Sequence, residues 1–227
     1  TDWPLPGTEY REMYISSNGS ANSVRGDGSL SFTKPVKKAS DTYRYDPLNP
    51  VPTTGGNNCC GTPTAAGPVD QRPVERREDV LVYTSEFLKD TLTIAGPVKM
   101  KLFAATDGKD TDWMIKLTDV YPDGYSMPIS EGILRARFRE GIDKIRLLTP
   151  NQVYEYDIEL TGTANAFLPG HRIRIDITSS NFTQFDRNPN TGDPLGSSAV
   201  TRVAVQTIHH GGTNLSHVLL PVVKGVK

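Results

Sequence analysis

Arg172–Gly192, RIRIDITSSNFTQFDRNPNTG, is the stretch on which the fold turns. In its first half Ile173, Ile175 and Ile177 alternate with Arg172, Arg174 and Asp176. A period of two carried by β-branched residues reads as a strand with one buried face. The second half leaves the sheet as an Asn-rich excursion with two aromatics, Phe182 and Phe185, inside it. Asn and Asp hydrogen-bond their own backbone, and Asn tolerates left-handed conformations, so such a run forms an ordered loop. A long ordered loop at the end of a β-structure either serves a function or interface or simply crosses over.

Outward from this stretch, helical periodicity is nearly absent and short alternating runs recur. Asp79–Thr84, Thr91–Ile94, Val98–Ala104, Trp113–Leu117, Gly132–Phe138, Val153–Leu160, Arg202–His209 and His217–Val223 read as strands, punctuated by 20 Gly and 17 Pro. Eight or more such strands without helices between them predict an all-β, antiparallel two-sheet jelly roll spanning residues 1–227 as a single domain. Lys and Arg number 25 against 26 Asp and Glu, a net charge of −1 that argues against nucleic acid or an anionic membrane as the main partner. The apolar runs are too short for a spanning helix. Opening on Thr1-Asp2-Trp3-Pro4, the chain reads as a processed or excised piece.

Asp46–Glu75 departs from this pattern, with Pro and Gly throughout and few apolar residues; it is expected to be an ordered loop laid over another surface. Its adjacent cysteines, Cys59 and Cys60, would need a distorted peptide unit to pair, so reduced thiols are expected. With no His or further Cys nearby, a zinc site has little support, and no cofactor or metal is expected. Asp107, Asp110 and Asp112 crowd one turn without the EF-hand spacing and are read as turn chemistry. The nucleophile elbow G-x-S-x-G is absent, and without it His171, His209, His210 and His217 do not make a triad. His209 and His210 are expected to end a strand, one imidazole in and one out. Arg135 and Arg137 share a strand face with Ile133, opposite the apolar Leu134, Ala136 and Phe138. The arginines are therefore expected to face a polar layer, solvent or another domain; were that face inner, they would need carboxylates, Asp119 being a candidate.

Six motifs occur in order: PVPTTGG (50–56), GPVDQRPVERREDVLVYTS (67–85), KLTDVYPDG (116–124), EGILRARFR (131–139), FLPGHRIRIDITSSNFTQFDRNPNTG (167–192) and SHVLLPVV (216–223). Together they resemble the C-terminal β-domain of the cocaine esterase and X-Pro dipeptidyl-peptidase family, which includes the α-amino-acid ester hydrolases. The resemblance implies a jelly roll similar to galactose-binding modules, packed on an α/β-hydrolase domain that carries a Ser-Asp-His triad. No triad residue maps onto this chain, so no catalytic residue is expected in it. The resemblance further implies that the segment after PVPTTGG, at Asn57, Asn58, Cys59 and Cys60, lines the substrate pocket of the whole enzyme. Family members often carry bulky apolar residues there, so Asn-Asn-Cys-Cys leaves the substrate open. Asp186, Arg187 and Asn188, with Arg135 and Arg137, are assigned to the domain junction or to bracing the sandwich. The expected partner is the hydrolase domain of the same protein, with self-association through the exposed interdomain face. The alternative from another class is a free-standing carbohydrate-binding sandwich; the placement of Tyr and Trp within alternating strands speaks against it.

Overall fold

Residues 3–57 and 65–224 are described by a computed structural model of the chain. Along Val98–Ala104 the burial alternates as the sequence predicts, Val98, Met100, Leu102 and Ala104 inward and Lys99 and Lys101 outward. Among the described residues there are eleven strands: β1 (Thr8–Ser16), β2 (Ser29–Ser31), β3 (Ala39–Tyr45), β4 (Leu81–Thr84), β5 (Leu92–Thr106), β6 (Asp112–Val120), β7 (Ser126–Arg135), β8 (Tyr154–Phe167), β9 (Arg172–Thr178), β10 (Ala204–His210) and β11 (His217–Val223). Among the described residues, one short helix, α1 (Arg72–Glu75), and a 3-10 turn, Ala136–Phe138, are the helical elements. β1, β2 and β3 carry no clean alternation in sequence and were not expected as strands.

Among the described residues, pairing between the named strands is antiparallel except at a single β2–β4 rung, Ser29 with Thr84. The order is β3-β10-β5-β11-β1-β2-β4-β9-β6-β7, with β8 also on β5. Folded over at β2, this path forms a sandwich, the all-β architecture expected. Inward side chains of β5 and β8 (Val98, Met100, Leu102, Tyr156, Ile158) meet those of β6 and β9 (Trp113, Ile115, Leu117, Ile173, Ile175, Ile177) in one apolar core. The rings of Trp113 and Tyr156, 5.7 Å apart, join the two layers.

The layer β4-β9-β6-β7 differs from expectation in a way that matters for function. β9 was expected to bury one face; it buries both, and all nine residues of β6 are buried. The cover on the outer face comes from residues 46–57 and 65–80. Val51, Val74, Val80 and Val82 form a second small apolar cluster there, and α1 lays Glu75 onto the sheet. The proline-rich loop is thus packed on this domain itself over much of its length. At the end of β10, His210 is buried against Asp41 at 3.0 Å while His209 is half-buried, the in-and-out arrangement expected. Burial pushes the Asp41 carboxyl up, but hydrogen bonds from His210, the Ala21 N–H, Ser17 and Tyr83 outweigh it and hold the group below its ordinary range.

Candidate functional site

The two odd loops of the sequence meet at one end of the sandwich. Val51–Thr53 runs beside the 180–184 segment: the Phe182 N–H donates to the Val51 carbonyl (2.9 Å), the Thr53 N–H to the Phe182 carbonyl (2.5 Å), and Thr53 Oγ1 to the Asn181 carbonyl (2.9 Å). Three residues later, at Gly56, the chain is pinched. The N–H of Gly56 donates to the carbonyl of Gly67 (2.8 Å) and that of Gly67 to Gly56 (3.0 Å). Both sit at left-handed φ, +81° and +88°, where a side chain is strained. A Cβ at residue 56 would also lie 2.7 Å from Oε1 of Glu131. The Glu131 carboxylate accepts the backbone N–H of Asn57 (3.2 Å) and Nε2 of Gln184 (2.9 Å). Asn57 Nδ2 donates to Thr161 Oγ1 on β8 (3.1 Å), and that hydroxyl donates to the Glu131 carbonyl (3.2 Å). A cleft of about 160 Å³ lies here between Gly56, Asn57, Gly67, Pro68, Pro128 and Glu131. Of the four residues assigned to the pocket from sequence, Asn57 is at its mouth; Asn58, Cys59 and Cys60 lie outside the described residues.

Four of the other five assigned residues, Arg135, Arg137, Asp186 and Asn188, come together as one network, and Arg187 lies on the same loop. β7 ends at Arg135, and Arg137 lies in the 3-10 turn that follows, so the two arginines do not continue a single strand face. Arg137 is buried and Arg135 is half-buried, so neither is directed into open solvent, and neither is paired with Asp119, which bonds His171 Nδ1 at 2.8 Å. Arg135 makes two parallel bonds to Asp112 (2.9 Å each) and reaches Asp186 (3.1 Å). Arg137 donates through Nε to Asp110 (2.7 Å) and through its backbone N–H to the same carboxylate (2.9 Å). Asn188 bridges both acids, its Nδ2 donating to Asp110 (2.9 Å) and Asp112 (2.8 Å). Arg187 lies over the Phe182 ring and donates to the Pro47 carbonyl (2.9 Å). Burial lowers the Arg135 pKa, but Asp112 and Asp186 outweigh it and raise the group above its ordinary value. Asp107, Asp110 and Asp112, read as turn residues, each hold an arginine, Asp107 taking Arg202 at 2.8 Å.

Sequence reading missed the charged layer between the sheet and its cover. Asp176, Lys116 and Glu131 are directly opposite one another across β9, β6 and β7. Arg174 pairs with Glu75 of α1 and donates to Thr84 Oγ1 (2.9 Å), and Lys116 donates to Gln71 Oε1 (3.0 Å). Two cations thus face two hydrogen-bonded carboxylates, and Asp176 is left over, with no partner at either oxygen. Burial and the Glu75 charge push its carboxyl well above the ordinary range, against the pull of Arg174 and Lys116. Burial lowers the Lys116 ammonium, opposed by Glu131, Asp176 and Glu75. Lys116, a lone cation between Ile115 and Leu117, was the available signal that the second face of β6 is covered.

Comparison with known proteins agrees with this geometry. Residues 1–219 match the model of the X-Pro dipeptidyl-peptidase C-terminal non-catalytic domain. The chain is 42% identical over 226 residues to the cocaine esterase of Rhodococcus sp. (strain MB1 Bresler), covering 99% of this chain and 39% of that protein. It therefore spans well under half the length of the curated relative it matches. An aminopeptidase from a marine sediment Thaumarchaeota archaeon superposes with a TM-score of 0.85 at 33% identity, over 98% of this chain and 38% of that one. An α-amino acid ester hydrolase superposes with 0.82 at 31%, over 94% and 36%. A CocE/NonD family hydrolase from Staphylococcus aureus, at 15% identity and a TM-score of 0.68, shares the fold. The chain belongs to the X-Pro dipeptidyl-peptidase C-terminal non-catalytic domain family, the β-domain found in the cocaine esterase group.

Proposed function

We propose that this chain walls the substrate pocket of a serine hydrolase, cleaving esters or peptide bonds after proline, whose nucleophile sits in an adjoining α/β-hydrolase domain. The observation that carries this reading is the Gly56–Gly67 pinch. It holds Asn57 at one end of the sandwich on a base fixed by backbone bonds, Glu131 and Thr161. The exposed Leu48, Phe182, Leu195 and Val200 on the neighbouring loops suit the same end to docking another domain. The relatives are an esterase, an ester hydrolase and an aminopeptidase, all acting at an acyl carbonyl.

The 227-residue chain alone is expected to give no turnover of p-nitrophenyl esters or X-Pro anilides above buffer, while the enzyme that contains it turns one of them over. Full activity after deletion of this domain would refute the pocket-walling role. Turnover by the chain alone, lost on changing one of its serines, would refute the division of labour altogether.

A further inference from the structure

We infer that Glu131 is a positioning residue that sets substrate affinity, by fixing where the chain leaves the sandwich at Asn57. The inference rests on the pocket-walling reading above. One buried carboxylate on β7 gathers donors from both functional loops, the backbone N–H of Asn57 and the side chain of Gln184. Bonds from N–H groups to a carboxylate are among the stronger hydrogen bonds in proteins. The third contact is steric. A Cβ at residue 56 would lie 2.7 Å from Oε1, so a side chain there would have to displace the carboxylate from the pinch.

A displacement of the pinch moves Asn57 with it. Residues 56 and 67 are bonded to each other in both directions, so the gate they form has a fixed width. The same carboxylate ties that gate to the 181–192 loop, since Gln184 also donates its N–H to Thr53 Oγ1 (3.0 Å). The backbone of Glu131 is itself held, its carbonyl accepting from Thr161, which also receives Asn57 Nδ2. Lys116 stands directly opposite Glu131 in register on β6, so the position of this carboxylate is set by the sheet rather than by the loop. A residue acting in this way touches neither nucleophile nor scissile bond. Its loss changes how well the substrate fits, and so KM, and leaves kcat in place.

Two variants test this, the isosteric Glu131→Gln and the truncating Glu131→Ala, with hydrogen exchange on this chain and kinetics on the enzyme that contains it. Glu131→Ala is expected to speed exchange of the Gly56, Asn57 and Gly67 amides by about tenfold or more, and to raise KM for p-nitrophenyl esters or X-Pro anilides by about tenfold at unchanged kcat. Glu131→Gln keeps one acceptor oxygen and is expected to fall between parent and Glu131→Ala in both readouts. The amides of β5 report that the sandwich itself is intact. Unchanged exchange at all three amides in both variants overturns the inference about Glu131. Faster exchange with KM unaltered overturns the pocket-walling reading instead.

Discussion

Arg137→Met is expected to destabilise the domain by about 3–5 kcal/mol, the cost of leaving a buried ion without its partner. The Arg137 side chain is 3% exposed and that of Asp110 is fully buried, so no water replaces the lost guanidinium. The Asp110 carboxylate keeps only the Arg137 backbone N–H and Asn188, and the Asp193 carbonyl loses its donor from Arg137 (2.9 Å). For a chain of this size the change corresponds to a fall of roughly 6–20 °C in Tm. Lys99→Ala is the control. Lys99 faces Glu159 across β5 and β8 at 2.8 Å, but the two side chains are 49% and 75% exposed, and such pairs contribute about 0–1 kcal/mol. Urea denaturation of both variants measures the contrast. Equal, small shifts in midpoint would show that the Arg137–Asp110 pair is hydrated after all. Adding Asp110→Asn to Arg137→Met is expected to recover part of the loss, because the stranded charge is removed.

Arg174→Met should cost about as much, roughly 3–5 kcal/mol, by stranding the fully buried Glu75 carboxylate beneath α1. Asp176→Asn, two residues on and on the same face, should behave in the opposite sense. Asp176 has no hydrogen-bond partner, and burial raises its pKa well above the value of about 3.9 that the unfolded chain would show. Below that pH both states hold the proton and the group confers no pH dependence. Above it the unfolded chain releases the proton and the folded chain keeps it, so stability declines by about 1.4 kcal/mol per pH unit until pH passes the folded value. An amide at residue 176 abolishes this term. The difference in unfolding free energy between Asp176→Asn and the parent should therefore grow in favour of the variant from pH 5 to pH 8, other groups cancelling in the comparison. A difference independent of pH would mean that Asp176 is ionised in the folded protein and has a partner.

These two clusters also mark where sequence reading stops. In EGILRARFR the side-chain parity of a strand put Leu134, Ala136 and Phe138 on the core side and the arginines outside. The parity was sound only as far as Arg135. There the backbone turns into a 3-10 element, and the Asp110–Asp112 turn arrives from upstream with the carboxylates that pair both guanidiniums. Neither the turn nor the acids is local to the motif. The five residues assigned to the junction from their motifs do assemble at one place, because the loop after β9 crosses the end of β7 and Asn188 bonds both acids.

What the sequence by itself determined is the class of fold, the core faces of most strands and the family. Alternation at β5, β6, β8 and β9 is a local property, since successive residues of a strand point to opposite sides whatever the rest of the chain does. The ordered motifs carry the family for the same reason: they are legible residue by residue. Only the tertiary structure decided which second faces are covered, that Asp176, Lys116 and Glu131 stand in one row, and that a carboxylate on β7 holds the neck at Asn57. Those facts depend on pairing between segments dozens of residues apart. Strand register and the packing of residues 46–57 and 65–80 set them, and both follow from burying the core as a whole rather than from any one stretch of it.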